Sequence, residues 1–133
     1  MIPVVKRLKI IIVTQYFWPE NFRINDLAIG LADRGHKVEV LTGVPNYPVG
    51  KLFDGYSYFN RRKDSYKGSS VHRVPLVPRG NGGRLRLALN FISFAVSASL
   101  LGPLFCRNTY DVILVYEPSP ITIGFPAISL KLV

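Results

Sequence analysis

The chain has 133 residues, and 17 lysines and arginines against eight aspartates and glutamates give it a formal net charge of +9. This length leaves room for one domain at most, and 48% hydrophobic residues suffice for a core, which excludes a disordered or low-complexity protein. The single cysteine, Cys106, excludes an intramolecular disulfide and agrees with a reducing compartment.

The first predicted elements form a βαβ unit over residues 8–42. Residues 8–14 are an almost unbroken β-branched run, which is typical of a parallel strand buried on both faces. An amphipathic helix follows, with Asn21 expected to cap its first turn and Gly35 to end it. The second strand is predicted over residues 37–42. The apolar residues of the helix recur at helical spacing: Ile24, Leu27, Ala28, Leu31 and Ala32.

The loops of this unit, residues 15–22 and 43–56, are expected at the same carboxyl edge of the sheet, where open α/β sheets bind ligands. Residues 42–50, Thr-Gly-Val-Pro-Asn-Tyr-Pro-Val-Gly, cannot continue the strand, because each proline lacks a donor and fixes φ. Their rigid aromatic and amide groups predict a binding loop.

Dinucleotide binding is disfavoured by what the first βα turn lacks. Residues 15–21 contain no glycine, so the close backbone approach to a pyrophosphate that a G-x-G-x-x-G turn provides is missing. The second strand ends in Thr42 rather than in an acidic residue that would hold a ribose hydroxyl. A P-loop is absent for the same reason.

Motifs of one pattern run through nearly the whole chain. They are Tyr16-Phe-x-Pro-Glu20, Leu31-Ala-x-Arg-Gly-His-x-Val-x-Val-Leu-Thr-Gly-x-Pro-Asn-Tyr-Pro-x-Gly50, Gly55-Tyr56, Arg73-Val-Pro-Leu76, Asn90-Phe-Ile-Ser-Phe-Ala95 and Pro118-Ser-Pro-Ile-Thr-Ile-Gly124. As a set they closely resemble the N-terminal domain of family-four glycosyltransferases, in the subgroup that builds bacterial surface polysaccharides and includes fucosamine and colanic-acid transferases. The chain departs from that pattern at residues 21–25, where relatives commonly carry a small Gly- or Ala-containing segment.

The resemblance implies a Rossmann-like parallel α/β sheet with helices on both faces, the N-terminal half of a retaining GT-B enzyme. Such enzymes have two Rossmann-like domains, an active site in the cleft between them, and donor-binding carboxylates in the second domain. Residues 1–133 would then be the acceptor-side domain, incomplete at its C-terminus and inactive alone, with the donor-binding domain absent. The implied substrates are a nucleotide-sugar donor and a lipid-linked saccharide acceptor, and no cofactor is implied.

Basic residues dominate the stretch from Arg61 to Arg86, in which Asp64 is the one acidic residue. Such a patch favours an anionic partner. A membrane surface or a pyrophosphate-linked acceptor fits better than nucleic acid, because the aromatic residues lie in proline-containing loops and no nucleic-acid motif is present. A plain solvated basic face is the alternative.

Residues 87–105 form a nineteen-residue segment without a charge, close to the length that spans a bilayer. Asn90, Ser93 and Ser97 predict a polar stripe, and Gly102-Pro103 is expected to break the last turn, so an amphipathic helix partly in the membrane interface is preferred to a transmembrane helix. A crossover helix packed on the sheet is the alternative. Three arginines are predicted at the membrane surface: Arg79, Arg84 and Arg86.

Localisation is predicted as cytoplasmic, peripheral at the inner face of the plasma membrane. Residues 1–9 lack a separate hydrophobic segment and a cleavage site, so no signal peptide is expected. His36 is expected in a turn and His72 on a strand, which predicts neither a metal site nor a Cys-His pair with Cys106.

Candidate site residues follow strand ends. Glu20 and Glu117 are proposed as acceptor-orienting or general-base groups, with a helix-capping role as the alternative for Glu20. The candidate sugar-binding residues are Tyr16, Asn21, Asn46, Tyr47 and Ser119. Tyr47 could equally pack its own loop. Two functions stay open: a glycosyltransferase domain, or a non-catalytic binding or membrane-docking module with the same fold.

Overall fold

A computed structural model describes residues 6–58, 62–116 and 124–132 of the chain. In chain order the elements are β1 (Lys9–Thr14), α1 (Arg23–Asp33), β2 (Lys37–Gly43), β3 (Lys63–Tyr66), β4 (Ser69–Val74), α2 (Arg84–Phe105), β5 (Val112–Tyr116) and α3 (Gly124–Leu132). The predicted βαβ unit is confirmed, because β1 and β2 flank α1 and pair in parallel.

The five strands form one sheet in the order β3-β4-β2-β1-β5. β1 lies between β2 and β5 and is parallel to both, and β2 is also parallel to β4. β3 is an antiparallel edge strand, which the sequence pattern did not predict. The register pairs Thr14 with Tyr116, so the carboxyl end of β5 lies beside that of β1.

Helices cover both faces of the sheet, as predicted. Side chains alternate along a strand, so Ile11 packs in one core with Phe94 of α2, while Ile12 packs in the other core with Ile24 of α1. α3 lies on the α2 face, where Leu130 joins the first core. The Rossmann-like α/β class is therefore confirmed.

The predicted cap of α1 is wrong. Asn21 is exposed, and Phe22 occupies the N-cap position without a side-chain hydrogen bond. The start of α1 is held instead by Asn25, whose Oδ1 accepts the Trp18 N–H and whose Nδ2 donates to the Glu20 carbonyl. These two bonds fix the loop after β1 against the helix.

The buried face of α1 differs from the predicted face at one residue, Leu27, and it also includes Asn25. Ile24 and Ala28 are buried with Asn25, whereas Leu27 is 44% exposed. Gly35 follows the helix with φ +90°, which confirms the predicted glycine stop, because L-residues rarely adopt this conformation.

Helix α2 is a crossover helix packed on the sheet, and its polar stripe faces the protein. Asn90 is fully buried, and Ser93 donates to the Asn90 carbonyl while its own Oγ accepts the Val77 N–H. The predicted amphipathic arrangement is therefore inverted. The side chains that face outward are apolar, and we call them the outer stripe of α2: Leu85, Leu89, Ile92, Val96, Leu100 and Leu104.

By length and composition α2 could cross a membrane, with a mean hydropathy of 1.7 over its most apolar window. Core helices of soluble proteins pass the same test, and buried Asn90, Phe94 and Ala98 attach this helix to the sheet. Gly102 allows a close approach, since a Cβ there would lie 2.8 Å from the Leu41 side chain.

The predicted break at Gly102-Pro103 does not occur, because α2 continues to Phe105. Pro103 has no N–H to donate to the carbonyl of Ser99, four residues earlier. The Ser129 hydroxyl of α3 donates to that carbonyl at 2.6 Å. A neighbouring helix therefore supplies the hydrogen bond that the proline removes.

Candidate functional site

The carboxylate of Glu20 joins the loop after β1 to the loop after β2. Its Oε2 accepts the backbone N–H groups of Asn46 at 2.9 Å and Tyr47 at 2.8 Å, and its Oε1 accepts the Phe17 N–H at 3.3 Å. The two loops therefore meet at one carboxyl edge of the sheet, as the βαβ unit predicted.

The Glu20 side chain is buried beneath the backbone segments whose N–H groups it accepts. It is 1% exposed, and this burial raises the pKa of the Glu20 carboxyl to about 7, although three N–H donors favour the ionised form. Glu20 does not cap α1. A general base has to reach the proton that it abstracts, so this geometry gives Glu20 a positioning role in the second loop.

Asn46 is also a buried part of the loop structure. Its Oδ1 accepts the backbone N–H of Arg79 at 2.9 Å, and its Nδ2 donates to the Val44 carbonyl at 3.1 Å. The residue is fully buried, so its side chain offers no surface to a ligand. Asn46 connects the segment after β4 to the loop after β2.

Three aromatic rings, which we call the aromatic cluster, stack over this edge: Tyr16, Phe22 and Tyr47. Tyr16 and Phe22 are nearly parallel, with ring centroids 4.8 Å apart, and Tyr47 lies 5.0 Å from Phe22 and 5.6 Å from Tyr16. Tyr16 is buried at 3% exposure, whereas Phe22 and Tyr47 are half-buried. The accessible rings of the cluster are therefore those of Phe22 and Tyr47.

Arg79 brings a cation to the aromatic cluster. Its Nη1 donates to the Tyr16 hydroxyl at 2.6 Å, and its Cζ lies 5.0 Å from the Tyr47 ring centroid and 5.8 Å from that of Tyr16. A cation at these distances is attracted by the ring faces. The side chain is half-buried and belongs to this edge of the sheet, not to a separate basic surface as the sequence suggested.

A buried network fixes the Tyr16 hydroxyl from behind. It donates to Asn90 Oδ1 at 3.2 Å, and the same oxygen accepts Gln15 Nε2 at 2.7 Å. Burial raises the pKa of Tyr16 above its usual value, although the Arg79 guanidinium acts in the opposite direction. The neutral phenol therefore donates to Asn90 and accepts from Arg79, which aligns the guanidinium.

Arg73 secures the first loop from beneath. It is 1% exposed, its Nη2 donates to the Trp18 carbonyl at 2.9 Å, and its Nη1 pairs with Asp64 at 3.1 Å. Its Cζ lies 4.9 Å from the Tyr56 ring centroid. Burial lowers the pKa of Arg73, while Tyr56 and Asp64 raise it, and a guanidinium with partners of this kind keeps its charge.

Two glycines allow the second loop to touch the segment that carries Arg79. Gly80 N–H donates to the Gly50 carbonyl at 2.9 Å, and a Cβ on Gly50 would lie 1.8 Å from the Gly80 carbonyl oxygen. Both glycines have positive φ. This contact requires glycine at position 50 for steric reasons as well as conformational ones.

The structure places the remaining predicted residues at the margin of this arrangement or outside the described residues. Asn21 is exposed beside Phe22, and Arg84 and Arg86 are exposed at the start of α2, where Arg86 Nε donates to the Pro78 carbonyl at 2.8 Å. Glu117 and Ser119 lie outside the described residues. Their proposed roles remain predictions.

The sequence analysis did not predict the contacts that Phe22, Arg73 and Asn90 make at this edge of the sheet. A residue that stacks or hydrogen-bonds across the sheet leaves no periodic signal, because its partner is distant in the chain. A weak signal existed for Asn90, since one amide in an uncharged helix is commonly satisfied inside the protein.

A second group of polar side chains lies at the amino end of the sheet, on the α2 face. Glu39, His72 and Cys106 are all buried, and their ligand-type atoms lie within 4.8 Å of one another. The sequence pattern did not predict that Cys106 and His72 lie close to each other. Burial raises the pKa of the Cys106 thiol to about 12 and lowers that of His72, although the Glu39 carboxylate raises the latter.

Comparison with known proteins identifies no family for this chain. No protein-family model matches the sequence, and no curated protein matches it significantly. The function is therefore inferred from the site and from the motifs that build it.

Proposed function

We propose that this chain is the acceptor-side domain of a retaining GT-B glycosyltransferase. It would bind a lipid-linked saccharide at the cytoplasmic face of the membrane, and a nucleotide-sugar would be the donor. The observation that carries the proposal is the Glu20 carboxylate, which joins two of the motifs that resemble this family. Those motifs occupy one carboxyl edge of a parallel sheet, the usual place for ligands in open α/β folds.

The accessible groups at this edge suit a saccharide attached to an anion. Tyr47 and Phe22 offer half-buried ring faces against which the apolar face of a sugar can pack. Arg79 donates through Nη1 to Tyr16, and its guanidinium has further N–H donors for a phosphate oxygen. An acceptor linked through a diphosphate would use both features.

Association with a membrane is supported by the outer stripe of α2. Six apolar side chains lie outward along the helix, and Arg84 and Arg86 are exposed at its start. An apolar helix face beside basic residues is typical of proteins that lie on anionic membranes. A lipid-linked acceptor is held in the same plane.

The same stripe supports a second function, that of a non-catalytic membrane-docking module. In that case lipid binding would need neither the aromatic cluster nor Arg79. A coding sequence that continues into a second Rossmann-like domain with spaced acidic residues would favour the enzyme.

The test is equilibrium binding of a polyprenyl-diphosphate-linked saccharide in detergent micelles. Trp18 is the single tryptophan, lies in the first loop and stacks on Tyr66 at 4.8 Å, so its fluorescence reports on this edge. Loss of a charge-assisted hydrogen bond corresponds to about a tenfold or greater loss of affinity, which we expect for Arg79→Ala. Tyr47→Ala should weaken binding in the same direction.

Arg34→Ala is the matched control, because Arg34 is an exposed arginine at the end of α1 and bonds only to its own helix among the contacts described. It should bind as the wild type does. Equal affinity in the wild type and in both site variants would remove the site from acceptor binding. Binding of the polyprenyl-diphosphate without any contribution from the saccharide would favour the docking module.

A further inference from the structure

The cluster of Glu39, His72 and Cys106 lies on the α2 face of the sheet and is unused by the function proposed above. Glu39 lies on β2, His72 on the neighbouring strand β4, and Cys106 directly after α2. Leu41 pairs with His72 in the sheet register, so Glu39 and His72 lie on the same face of the sheet. The last turn of α2 brings the thiol over them.

The spacing of the three ligand atoms is close to that of a metal site. His72 Nε2 lies 3.7 Å from Glu39 Oε2, and all three atoms are within 4.8 Å of one another. Atoms bound to one tetrahedral Zn²⁺ at its usual bond lengths are about 3.3–3.8 Å apart. A small contraction of the cluster would therefore place them around one ion.

The carboxylate is already oriented by neutral donors. Asn108 Nδ2 donates to Glu39 Oε1, and the Tyr110 hydroxyl donates to Oε2 at 2.5 Å. Each carboxylate oxygen keeps a further lone pair for a metal. Hydrogen bonds of this kind hold metal ligands in place in known sites.

The Glu39 carboxylate and the His72 ring are both available to bind a cation. Among the residues that the structure describes, no lysine or arginine forms an ion pair with Glu39, although Glu39 is buried. Nor does the His72 ring, which is 9% exposed, hydrogen-bond to any described residue. Lys63 is near His72 but is exposed, so solvent screens its charge.

A cavity of about 730 Å³ reaches the cluster at Cys106, and Asn108 and Tyr110 also help to line it. A fourth position on the metal could therefore be taken by water. Three protein ligands and one open position are typical of catalytic zinc sites, whereas structural zinc sites have four protein ligands.

We propose that Glu39, His72 and Cys106 form a binding site for one borderline-soft divalent cation of the Zn²⁺ class. Carboxylate, imidazole and thiolate are the ligand types that zinc prefers in proteins. On binding, the Cys106 thiol releases its proton to solvent and coordinates as the thiolate. The metal keeps its oxidation state throughout.

The test is titration of the chelator-treated chain with Co²⁺ followed by absorption spectroscopy. One equivalent should produce a near-ultraviolet thiolate-to-cobalt band and visible bands of a four-coordinate ion, and Zn²⁺ should abolish both. Cys106→Ser should remove the thiolate band, and His72→Ala should lower the affinity at least about tenfold. His36→Ala is the matched control, because His36 lies outside the cluster and accepts the Leu8 N–H.

A measurement on the wild type guards against variants that fail to fold. Cys106 is the single cysteine, so a thiol reagent reports on the site alone. One equivalent of Zn²⁺ should slow the reaction of Cys106, and a chelator should restore it. The absence of a thiolate band, or an unchanged thiol reaction rate with Zn²⁺, would overturn the proposal.

Discussion

The carboxylate Oε2 of Glu20 lies 2.9 Å from the backbone nitrogen of Asn46, which is 26 positions later in the chain. This hydrogen bond and its neighbour at Tyr47 fix the loop after β2 in the orientation that presents the Tyr47 ring. The buried Glu20 side chain thus accepts backbone N–H groups that carbonyl groups of a neighbouring strand accept elsewhere in the sheet. Substitution of Glu20 should therefore change the conformation of the loop and lower the stability of the fold.

We expect Glu20→Ala to lower the free energy of unfolding by about 3 kcal/mol, because it leaves buried N–H groups of Phe17, Asn46 and Tyr47 without their acceptor. At pH 4.5, where the folded wild type carries the protonated acid, Glu20→Gln keeps an acceptor for two of these groups and should cost about 1 kcal/mol. Urea unfolding measures both. An alanine variant as stable as the wild type would show that the three bonds contribute nothing.

Stability should fall between pH 4.5 and about 7 through Glu20. Its pKa rises from 4.5 to about 7 on folding, so the protonated form is favoured in the native state, and that stabilisation is full below pH 4.5 and is lost as pH rises through 7. At about 1.4 kcal/mol for each tenfold change in proton affinity, the loss is about 3 kcal/mol.

The matched comparison for this pH dependence is Glu20→Gln, which cannot titrate. His72 acts in the opposite direction, because its pKa is lowered and its contribution is lost as pH falls. That contribution is the same in both proteins and cancels in their difference. Parallel stability curves for the wild type and the variant would contradict the role assigned to Glu20.

Ser129→Ala should lower the free energy of unfolding by about 1 kcal/mol, because the Ser99 carbonyl then lacks its donor. Pro103→Ala should reduce this cost, since an alanine N–H can bond to the same carbonyl within α2. A double-mutant cycle by thermal or urea unfolding measures the coupling. Additive effects of the two substitutions would mean that the hydroxyl does not replace the missing helical bond.

Gly50→Ala should be much more destabilising than Gly55→Ala. Both glycines have nearly the same positive φ, +86° and +84°, so the conformational strain is similar, at about 1 kcal/mol. Only at Gly50 does the added Cβ meet backbone, 1.8 Å from the Gly80 carbonyl oxygen, whereas nothing lies within 4 Å at Gly55. Equal melting temperatures for the two variants would exclude a steric role for the Gly50–Gly80 contact.

The outer stripe of α2 should bind anionic vesicles in a salt-sensitive way. Attraction of Arg84 and Arg86 to lipid headgroups is screened over about 8 Å at physiological ionic strength, whereas insertion of apolar side chains is not screened. Flotation with neutral and anionic vesicles at low and high salt measures both contributions. The combined substitution Leu89→Ser, Ile92→Ser and Val96→Ser should abolish recovery with vesicles.

A control whose substituted side chains are at least as exposed combines Leu27→Ser, Val49→Ser and Leu132→Ser, all of them outside α2. It should float as the wild type does. Negligible recovery of the wild type under all four conditions would leave the stripe without a membrane role.

The apolar pattern was sufficient to predict β1 and β2, because each buries nearly all of its residues, and helical spacing was sufficient to predict α1. The same patterns could not orient α2. The stripe Asn90, Ser93, Ser97 is polar at helical spacing whether it faces water or protein, and only the positions of Gln15 and Val77 turn it inward.

The candidate site was predicted in place but not in detail. Strand ends located Glu20 and Tyr47 in two neighbouring loops, since parallel strands bring their carboxyl ends to one edge. The inward direction of Glu20 and the place of Arg79 depend on contacts across 26 and 63 positions. Pairings of that separation, like that of Glu39 with His72, carry no local pattern.

The hydrogen bond from Gln15 to Asn90 spans 75 positions of the chain. Contacts this distant cost chain entropy before they return any stabilisation, so they form late when a protein folds. The alignment of Tyr16 with Arg79 depends on the docking of α2, because α2 supplies the Asn90 side chain that accepts the Tyr16 hydroxyl. A chain that had completed its βαβ unit but not yet placed α2 would therefore have both loops and no organised binding edge.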